Sequence, residues 1–439
     1  MSFAVPPALS RLVSRVARPA GRPLGVSHVA LATLAVVLPA AGVGAQTPAP
    51  ATVVITNASL IDGVRGAFAS GATVVIRDGK IAQVAAGGVA VAAPPGATVL
   101  DARGRFLLPG LVDAHTHVAS LASARRALES GVTTIRSASV PAFQDVALRE
   151  AVRLGVIAGP DVVAAGLFVS PELGDAMLGD ARLPKLAGAM QSEAGLREAV
   201  RINLDRGVDV IKTRGTERAG LPNTDPRKQS YTEQQLSWIV DEASKKRVPV
   251  MAHAHGDEGA YAAVKAGVRS IEHGSFLSDS TLQLMKQKGT FLVPTYVTVH
   301  DLTQPGGDYD DPALTIRGNF MLPALAQTVR RAHRLGIPIA TGADTQYGPE
   351  SLSRIAGEAA FFVDLGMTPV EAIRAATTVA ARLLGLDQRI GEIREGYEAD
   401  LILVESNPLQ DIRALADVLV VISNGRVALN RTPFAKTGS

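Results

Sequence analysis

Eight apolar, strand-like runs alternate with helix-like stretches through the middle of this chain. This alternation is typical of a parallel β-sheet covered by helices. The runs are GLVDAHTHV, GVTTIRSAS, DVVAAGLF, VDVIKTRG, VPVMAHAH, SIEHGS, TFLVPTYVT and IPIATGADT. Because eight such units fit between residues 109 and 387, we predict a (β/α)8 TIM-type barrel there, with its active site at the carboxyl ends of the strands.

The segments on either side of the predicted barrel have a different sequence pattern. Residues 46–108 and 388–432 contain short alternating strands with Gly and Asp turns, such as ATVVIRDGKIAQVA and DVLVVISNGRVALN. Because both ends share this pattern, we predict that they pair into one small β-sandwich domain that flanks the barrel. The predicted fold class is therefore α/β with a second, smaller β-domain.

The first 45 residues indicate a signal peptide for export. They contain four arginines and no acidic residue, followed by the apolar run VALATLAVVLPAAGVGA, which ends in small residues. A membrane anchor is the alternative, but spanning needs about 20 apolar residues, and Pro39 interrupts this shorter run. We therefore predict cleavage near Ala45, a periplasmic or secreted protein, and no membrane attachment after cleavage.

Composition excludes several classes of protein. The chain has 439 residues, of which 47% are hydrophobic, so it is not a disordered protein. Removing the four signal arginines from its 44 basic residues leaves 40 against 41 acidic ones, so no nucleic-acid partner is indicated. Since cysteine is absent, any metal must be held by His, Asp, Glu or a modified Lys.

Residues with metal-binding chemistry fall at the ends of the predicted strands. His115 and His117 are one residue apart, and alternate residues of a strand point to the same face. Such a pair can also decorate a strand or lie in a core, so by itself it is weak evidence for a metal. Other strand ends carry Lys212, His253, His255, His273 and Asp344. This shared position favours a metal site.

The sequence resembles the amidohydrolase superfamily in a series of motifs that occur in order. They are PGLVDAHTHV, VIKTRG, MAHAHG, IEHGS, TGADT and IGEIREGYEADLILVESNPLQDI. More narrowly, the motifs are similar to the imidazolonepropionase-like branch, which contains Xaa-Pro dipeptidases, other carboxypeptidase-like enzymes and ochratoxin-hydrolysing amidases. The similarity covers nearly everything after the signal segment.

This resemblance implies a centre of two divalent metal ions, for which we expect zinc. In the family, the lysine of the fourth strand carries a carbamate that bridges both ions, and here that lysine is Lys212. A carbamate turns the lysine cation into an anionic oxygen donor, and two ions lower the pKa of a water toward neutrality. The implied ligands are His115, His117 and Asp344 for the more buried ion, and His253 and His273 for the more exposed one.

Further roles follow from family position and side-chain chemistry. Asp344 is suited to take a proton from water and pass it to the leaving amine, and His255 to contact the substrate carbonyl or the oxyanion. Tyr231, Arg214 and Arg218 are candidates to bind a substrate carboxylate, since guanidinium groups bind carboxylates at two points. The alternatives are a helix start beside the tyrosine and surface positions for the arginines.

A rival interpretation comes from the stretch HAHGDE. His255 and Glu258 have the HxxE spacing of the mononuclear deaminase branch. That interpretation leaves Lys212 without a role, and it places Glu258 in the first turn of a helix, where acidic residues are expected anyway. A noncatalytic binding protein on a decayed barrel would lack ligands, and none is missing.

The sequence therefore predicts an exported binuclear metallohydrolase. We expect it to act on a small-molecule or dipeptide-like substrate, cleaving an amide that joins an acyl group to a C-terminal amino acid, as in N-acyl amino acids such as ochratoxin A. A cyclic amide, as in the imidazolonepropionase relatives, is the alternative substrate. The resemblance also implies a homo-oligomer.

Overall fold

The computed structural model describes residues 52–61, 68–89, 91–306 and 309–434. The predicted signal peptide, residues 1–45, lies outside the described residues. The strands are β1 Val53–Ile61, β2 Phe68–Arg77, β3 Lys80–Ala85, β4 Thr98–Asp101, β5 Phe106–Pro109, β6 Leu111–Thr116, β7 Val132–Ser137, β8 Asp161–Val163, β9 Ile211–Arg214, β10 Val250–Ala254, β11 Ser270–His273, β12 Phe291–Val293, β13 Leu401–Val404, β14 Val418–Ser423 and β15 Arg426–Asn430.

Helices follow most strands of the middle segment. They are α1 Leu121–Glu129, α2 Gln144–Arg153, α3 Glu193–Asp205, α4 Glu233–Ser244, α5 Asp257–Ala266, α6 Asp279–Lys288, α7 Tyr296–Asp301, α8 Pro312–Leu335, α9 Ile355–Asp364, α10 Pro369–Ala375 and α11 Thr378–Leu384. Reciprocal capping by Thr232 and Gln235 begins α4, because each side chain satisfies a free backbone N–H of the first turn. Within the described residues, no helix combines the length and apolar composition that crossing a membrane requires.

The strands from the two ends of the chain form one hydrogen-bonded sheet of eight strands. Its order is β15-β14-β13-β5-β1-β2-β3, with β4 paired to β1. The two ends of the chain meet in the antiparallel pair of β5 and β13, where Leu401 lies opposite Pro109. Strands from the two terminal segments are thus hydrogen-bonded to each other within one sheet.

Strand β13 connects this terminal sheet to the middle of the molecule. All four of its residues are buried, and alternate side chains of a strand face opposite sides. Leu401 and Leu403 pack into the core of the terminal sheet, whereas Ile402 and Val404 pack into the large core that contains the middle strands and helices. This burial on both faces explains why LILV contains no polar residue.

The middle strands form two parallel sheets, one of β6, β7 and β8 and one of β9 to β12. In the second sheet Met251 lies beside Lys212, and Ala254 beside His273. Because parallel strands have their carboxyl ends at one edge, the polar residues that end them lie together.

The third and eighth predicted strands are shorter than the sequence suggested. The third is found as β8. The eighth, residues 337–345, is not assigned as a strand, but isolated bridges and backbone hydrogen bonds join it to β6 and β12. The parallel bridges are Val169 with Thr213, Ile339 with Leu292, and Thr345 with Thr116. The described part of the chain therefore contains two parallel sheets linked by bridges, and no closed eight-stranded ring is assigned within it.

Gly342 brings the segment 337–345 close to β6. A Cβ atom at this glycine would lie 2.8 Å from the Cβ of His115 and 2.6 Å from Cγ1 of Val293. Because both distances are below van der Waals contact, only glycine permits this approach. The glycine of TGADT thus places Asp344 beside the histidines of β6.

Candidate active site

A cavity of about 630 Å³ lies at the carboxyl ends of the parallel strands. Its volume is within the usual range of small-molecule sites, roughly 300–1,000 Å³. The seven residues proposed from sequence as ligands or oxyanion contact all line it, namely His115, His117, Lys212, His253, His255, His273 and Asp344. The fold therefore brings together residues that are more than 200 positions apart in the sequence.

The first group of possible metal ligands is built by β6 and the segment 337–345. His115 lies in β6, His117 directly follows it, and Asp344 comes from the segment. Oδ1 of Asp344 is 3.0 Å from Nε2 of His117 and 3.4 Å from Nε2 of His115. One donor atom from each of the three residues lies within 4.8 Å of the others, close enough to share one ion.

The second group is built by β10 and β11. One ring nitrogen each of His253, His255 and His273 lies within 4.8 Å of the others. The rings of His255 and His273 are stacked, with centroids 4.6 Å apart. The distances among the three rings therefore do not separate His255 from His253 and His273, the two histidines that the resemblance names as ligands.

Lys212 lies in contact with the first group and acts electrostatically on both. Its Nζ is 3.3 Å from Nε2 of His115, and the residue is only 2% exposed. Burial lowers the pKa of Lys212 to about 8. Burial also lowers the pKa of His115 and of His273, and the charge of Lys212 lowers both further.

Each of the five histidines has one ring nitrogen within hydrogen-bond distance of a residue outside the two donor groups. The pairs are His115 Nδ1 with Glu272 Oε2 at 2.7 Å, His117 Nδ1 with the Ser139 carbonyl at 2.7 Å, His253 Nε2 with the Glu217 carbonyl at 3.0 Å, His255 Nδ1 with Ser275 Oγ at 2.9 Å, and His273 Nδ1 with Thr295 Oγ1 at 2.6 Å. Such partners orient an imidazole and leave its other nitrogen available to bind a metal.

A buried ion pair supports His115. The side chains of Arg136 and Glu272 are 3% and 0% exposed, and Nη2 of the arginine donates to Oε1 of the glutamate at 3.0 Å. Although burial opposes ionisation of Glu272, Arg136 and His115 hold its pKa at about 2. Glu272 is therefore anionic and accepts the Nδ1 proton of His115, which leaves Nε2 unprotonated and directed toward Asp344 and Lys212.

The backbone is strained at several of these positions. His273 and Asp344 have φ angles of 70° and 44°, and Ser139 and Thr295, which contact ligand histidines, have φ angles of 90° and 47°. Positive φ is uncommon outside glycine and clusters at functional sites. The surrounding structure thus holds two candidate ligands, and two groups that orient ligands, in unfavourable conformations.

The donor set fits divalent ions. Five imidazoles and a carboxylate suit zinc and similar metals, and no thiolate is needed. Burial lowers the pKa of His115 to about 4 and that of His255 to about 3. Both imidazoles are therefore neutral at physiological pH, which is the protonation state that binds a metal.

Arg214 projects into the same cavity. It lies two residues after Lys212 in β9, so the two side chains share a face of the strand, and both line the cavity. The side chain of Arg214 is 8% exposed and pairs with Glu172. Its Nε is buried and has no hydrogen-bond partner among the described residues. Arg218, the other candidate arginine, also lines the cavity.

Tyr231 lies away from the cavity lining. It is fully buried, and its hydroxyl donates to the carbonyl of Met190 at 3.0 Å. Burial raises the pKa of this phenol, so it stays protonated as a donor. In this position its hydroxyl is not available to the predicted contact with a substrate carboxylate in the cavity.

Glu258, the proton carrier of the rival deaminase interpretation, is exposed in the first turn of α5. It is not one of the residues that line the cavity. The HxxE spacing thus coincides with a helix start in this chain. The deaminase interpretation has no acidic group in the position that it requires.

The sequence interpretation missed Glu272 and Arg136. Each is a charged residue inside an apolar, strand-like run, which is the signal that identified Lys212. Glu272 lies in SIEHGS and Arg136 in GVTTIRSAS. Buried charges are rarely retained without a partner. The two could have been proposed as a supporting ion pair, although nothing local showed that they meet.

The cavity contains two candidate metal-binding groups on an α/β fold, and residues 106–428 match the Amidohydrolase family. The chain belongs to this family. It is a hydrolase that acts on amide C–N bonds.

Curated relatives agree with this assignment. The ochratoxinase of Aspergillus niger is 31% identical over 356 residues, which cover 71% of this chain and 72% of the relative. The imidazolonepropionase of Symbiobacterium thermophilum is 25% identical over 395 residues, which cover 76% and 84%. These similarities confirm the imidazolonepropionase-like branch.

A solved structure of a Xaa-Pro dipeptidase with methionine bound in its active site is similar in fold. It has a TM-score of 0.77 and 28% sequence identity, and the match covers 86% of this chain and 99% of that structure. The chain therefore has a TIM-barrel-like α/β fold with an additional domain.

Proposed function

We propose that this protein is a binuclear metal-dependent amidohydrolase that releases a C-terminal amino acid from an acyl group. The observation that carries the proposal is the pair of donor groups in one cavity, each with three donor atoms within 4.8 Å. Lys212 contacts the first group and influences the second electrostatically. Two such groups with a shared lysine match a site for two ions better than a site for one.

Lys212 is suited to become the bridging ligand as a carbamate. Carbamate formation requires the neutral amine, and burial lowers the pKa of Lys212 to about 8. At pH 7 about a tenth of such amines are neutral, against about one in three thousand for an ordinary lysine. The modified side chain would supply two anionic oxygens among donors that are otherwise mostly neutral imidazoles.

The chain's own residues would bind, orient and transfer protons around the scissile amide. Zinc or a similar ion, when bound by the two groups, polarises a carbonyl and lowers the pKa of water. Asp344 lies at the edge of the first group, where its carboxylate accepts a proton from the attacking water and returns it to the leaving amine. In the second group His253 and His273 would hold the ion, so Nε2 of His255, whose Nδ1 pairs with Ser275, would donate to the carbonyl oxygen and stabilise its developing charge.

Arg214 provides the specificity for a free carboxylate. Its guanidinium lies in the cavity wall two residues from Lys212, and most of it is desolvated. A desolvated guanidinium binds a carboxylate strongly, because the alternative leaves a buried charge unpaired. The similarity to a Xaa-Pro dipeptidase supports this substrate class, since such an enzyme is named for dipeptides with a C-terminal proline.

Amidation of the substrate tests the proposed function. N-benzoyl-L-phenylalanine should be hydrolysed at the benzoyl amide with a kcat/KM at least thirtyfold higher than that of its C-terminal amide. This ratio corresponds to about 2 kcal/mol, the scale of a hydrogen bond to a charged group that the amide does not form with Arg214. Arg214→Gln should remove most of the difference. Equal rates for both substrates in the wild type would redirect the search to cyclic amides.

The closed barrel is part of the same proposal. Isolated bridges join the region after β8 to β9, and β12 through residues 337–345 to β6. We infer that these contacts complete one (β/α)8 ring, since they are parallel and occur at both gaps between the two sheets. A ring of this kind would hold both donor groups at a fixed separation.

We also propose that the protein is exported and assembles as a homo-oligomer. The basic, apolar N-terminal segment that ends at Ala45 supports export, and family resemblance alone supports assembly. Protein recovered from the native host should begin near Gln46 on N-terminal analysis. Recovery of an intact residue 1–45 segment from a cytoplasmic fraction would refute export.

A further inference from the structure

The partner of Arg214 is a carboxylate that the chain itself supplies. Nη2 of Arg214 donates to Oε2 of Glu172, and both residues line the cavity. Glu172 lies in a loop, where its own carbonyl accepts a hydrogen bond from Ser170 Oγ at 2.8 Å. The backbone of the loop is thus held while the glutamate side chain extends to the arginine.

The two partners differ strongly in their contact with water. The side chain of Arg214 is 8% exposed, whereas that of Glu172 is 71% exposed. Removing a counter-charge from a buried guanidinium is costly, because water cannot replace it there. An exposed carboxylate, in contrast, regains its hydration when it leaves, so the cost of separating this pair falls on Arg214 unless a second carboxylate takes the place of Glu172.

We propose that Glu172 is a specificity-determining residue that occupies the carboxylate site of the free enzyme and is displaced by the substrate carboxylate. This inference rests on the proposed function. A substrate with a free C-terminus replaces the counter-charge that Glu172 withdraws, so Arg214 stays paired throughout. A substrate without a carboxylate leaves Glu172 in place, or leaves Arg214 unpaired. Every substrate that displaces Glu172 from Arg214 therefore binds more weakly than it would without Glu172. Only a substrate with a carboxylate gives Arg214 a new counter-charge.

The variant Glu172→Gln tests this competition. It should lower KM for N-benzoyl-L-phenylalanine at least about threefold, because the substrate carboxylate then binds Arg214 without first displacing Glu172. Its kcat should stay unchanged, because Glu172 lies outside both donor groups. Inhibition by the product L-phenylalanine should strengthen by the same factor, whereas inhibition by L-phenylalaninamide should not.

Asp175→Asn is the matched control. Asp175 is an exposed acid three positions further along the same segment, and it does not line the cavity. Its substitution removes the same charge and should leave KM unchanged, which separates a contact with Arg214 from a general change of surface potential. Thermal unfolding of Asp175→Asn should match the wild type, whereas Glu172→Gln should unfold at a somewhat lower temperature, because it leaves the buried Arg214 without its counter-charge.

A double-mutant comparison locates the effect on Arg214. In an Arg214→Gln background, Glu172→Gln should no longer change KM or product inhibition, because the shared partner is absent. A wild type that prefers the free carboxylate, with unchanged KM in Glu172→Gln, overturns this inference alone. A wild type without that preference overturns the proposed function, and this inference with it.

Discussion

Lys212→Ala should lower kcat/KM for amide hydrolysis by at least about a hundredfold. Substitution of residues that only orient metal ligands costs 10- to 100-fold, and Lys212 is proposed as a ligand itself. The alanine also leaves a space beside His115, whose Nε2 is 3.3 Å from the lysine amine. Short carboxylic acids such as acetate or propionate should enter this space, supply two oxygens in place of the carbamate, and restore part of the activity.

Two substitutions serve as controls for Lys212→Ala. Lys265→Ala removes an exposed lysine of α5 that pairs with Glu233, and Glu258→Gln removes the acid on which the deaminase interpretation depends. Both should retain activity near that of the wild type, with no response to acetate. Full activity in Lys212→Ala together with an inactive Glu258→Gln would support a mononuclear deaminase mechanism instead.

Removal of divalent ions with a chelator should abolish amide hydrolysis and lower the stability of the fold. The donor groups bring five imidazoles and a carboxylate into one cavity, and these ligands are preformed only in the folded state. An ion present at 100 times its Kd stabilises the folded protein by about 2.7 kcal/mol for each site. The depleted protein should therefore unfold at a lower temperature, as followed by circular dichroism.

Adding zinc back shows whether the chelator acted by removing metal or by damaging the protein irreversibly. Zinc added to the depleted protein should restore both the activity and the unfolding temperature. His115→Ala, which removes a ligand of the first group, should show a smaller gain in unfolding temperature on the same addition. If the depleted protein kept its activity, catalysis would not depend on a metal.

The ends of the strands could be predicted from sequence because their signals are local. Strand alternation places His115 and His117 on one face, and an apolar run that stops at a polar residue identifies where each strand ends. The position of Lys212 within an apolar run was a further local signal. The structure accordingly places all three in the same cavity.

Other features depend on contacts that no local pattern records. Tyr231 lies just before a helix start, as its sequence suggests, but its hydroxyl bonds to Met190, about 40 positions away, which no local pattern predicts. Glu172 meets Arg214 across 42 positions. The eighth predicted strand contacts β6 and β12, which come from opposite ends of the barrel segment, and no pattern in its own sequence identifies these two neighbours.

The number of metal ions per chain tests the central claim most directly. Elemental analysis of purified, active protein should find close to two divalent ions for each chain, with zinc predominant. Lys212→Ala should hold fewer ions, since the proposed carbamate bridge between the two ion sites is missing. One ion per chain in fully active wild-type protein, unchanged in Lys212→Ala, would contradict the binuclear site, and an active protein without metal would contradict the whole account.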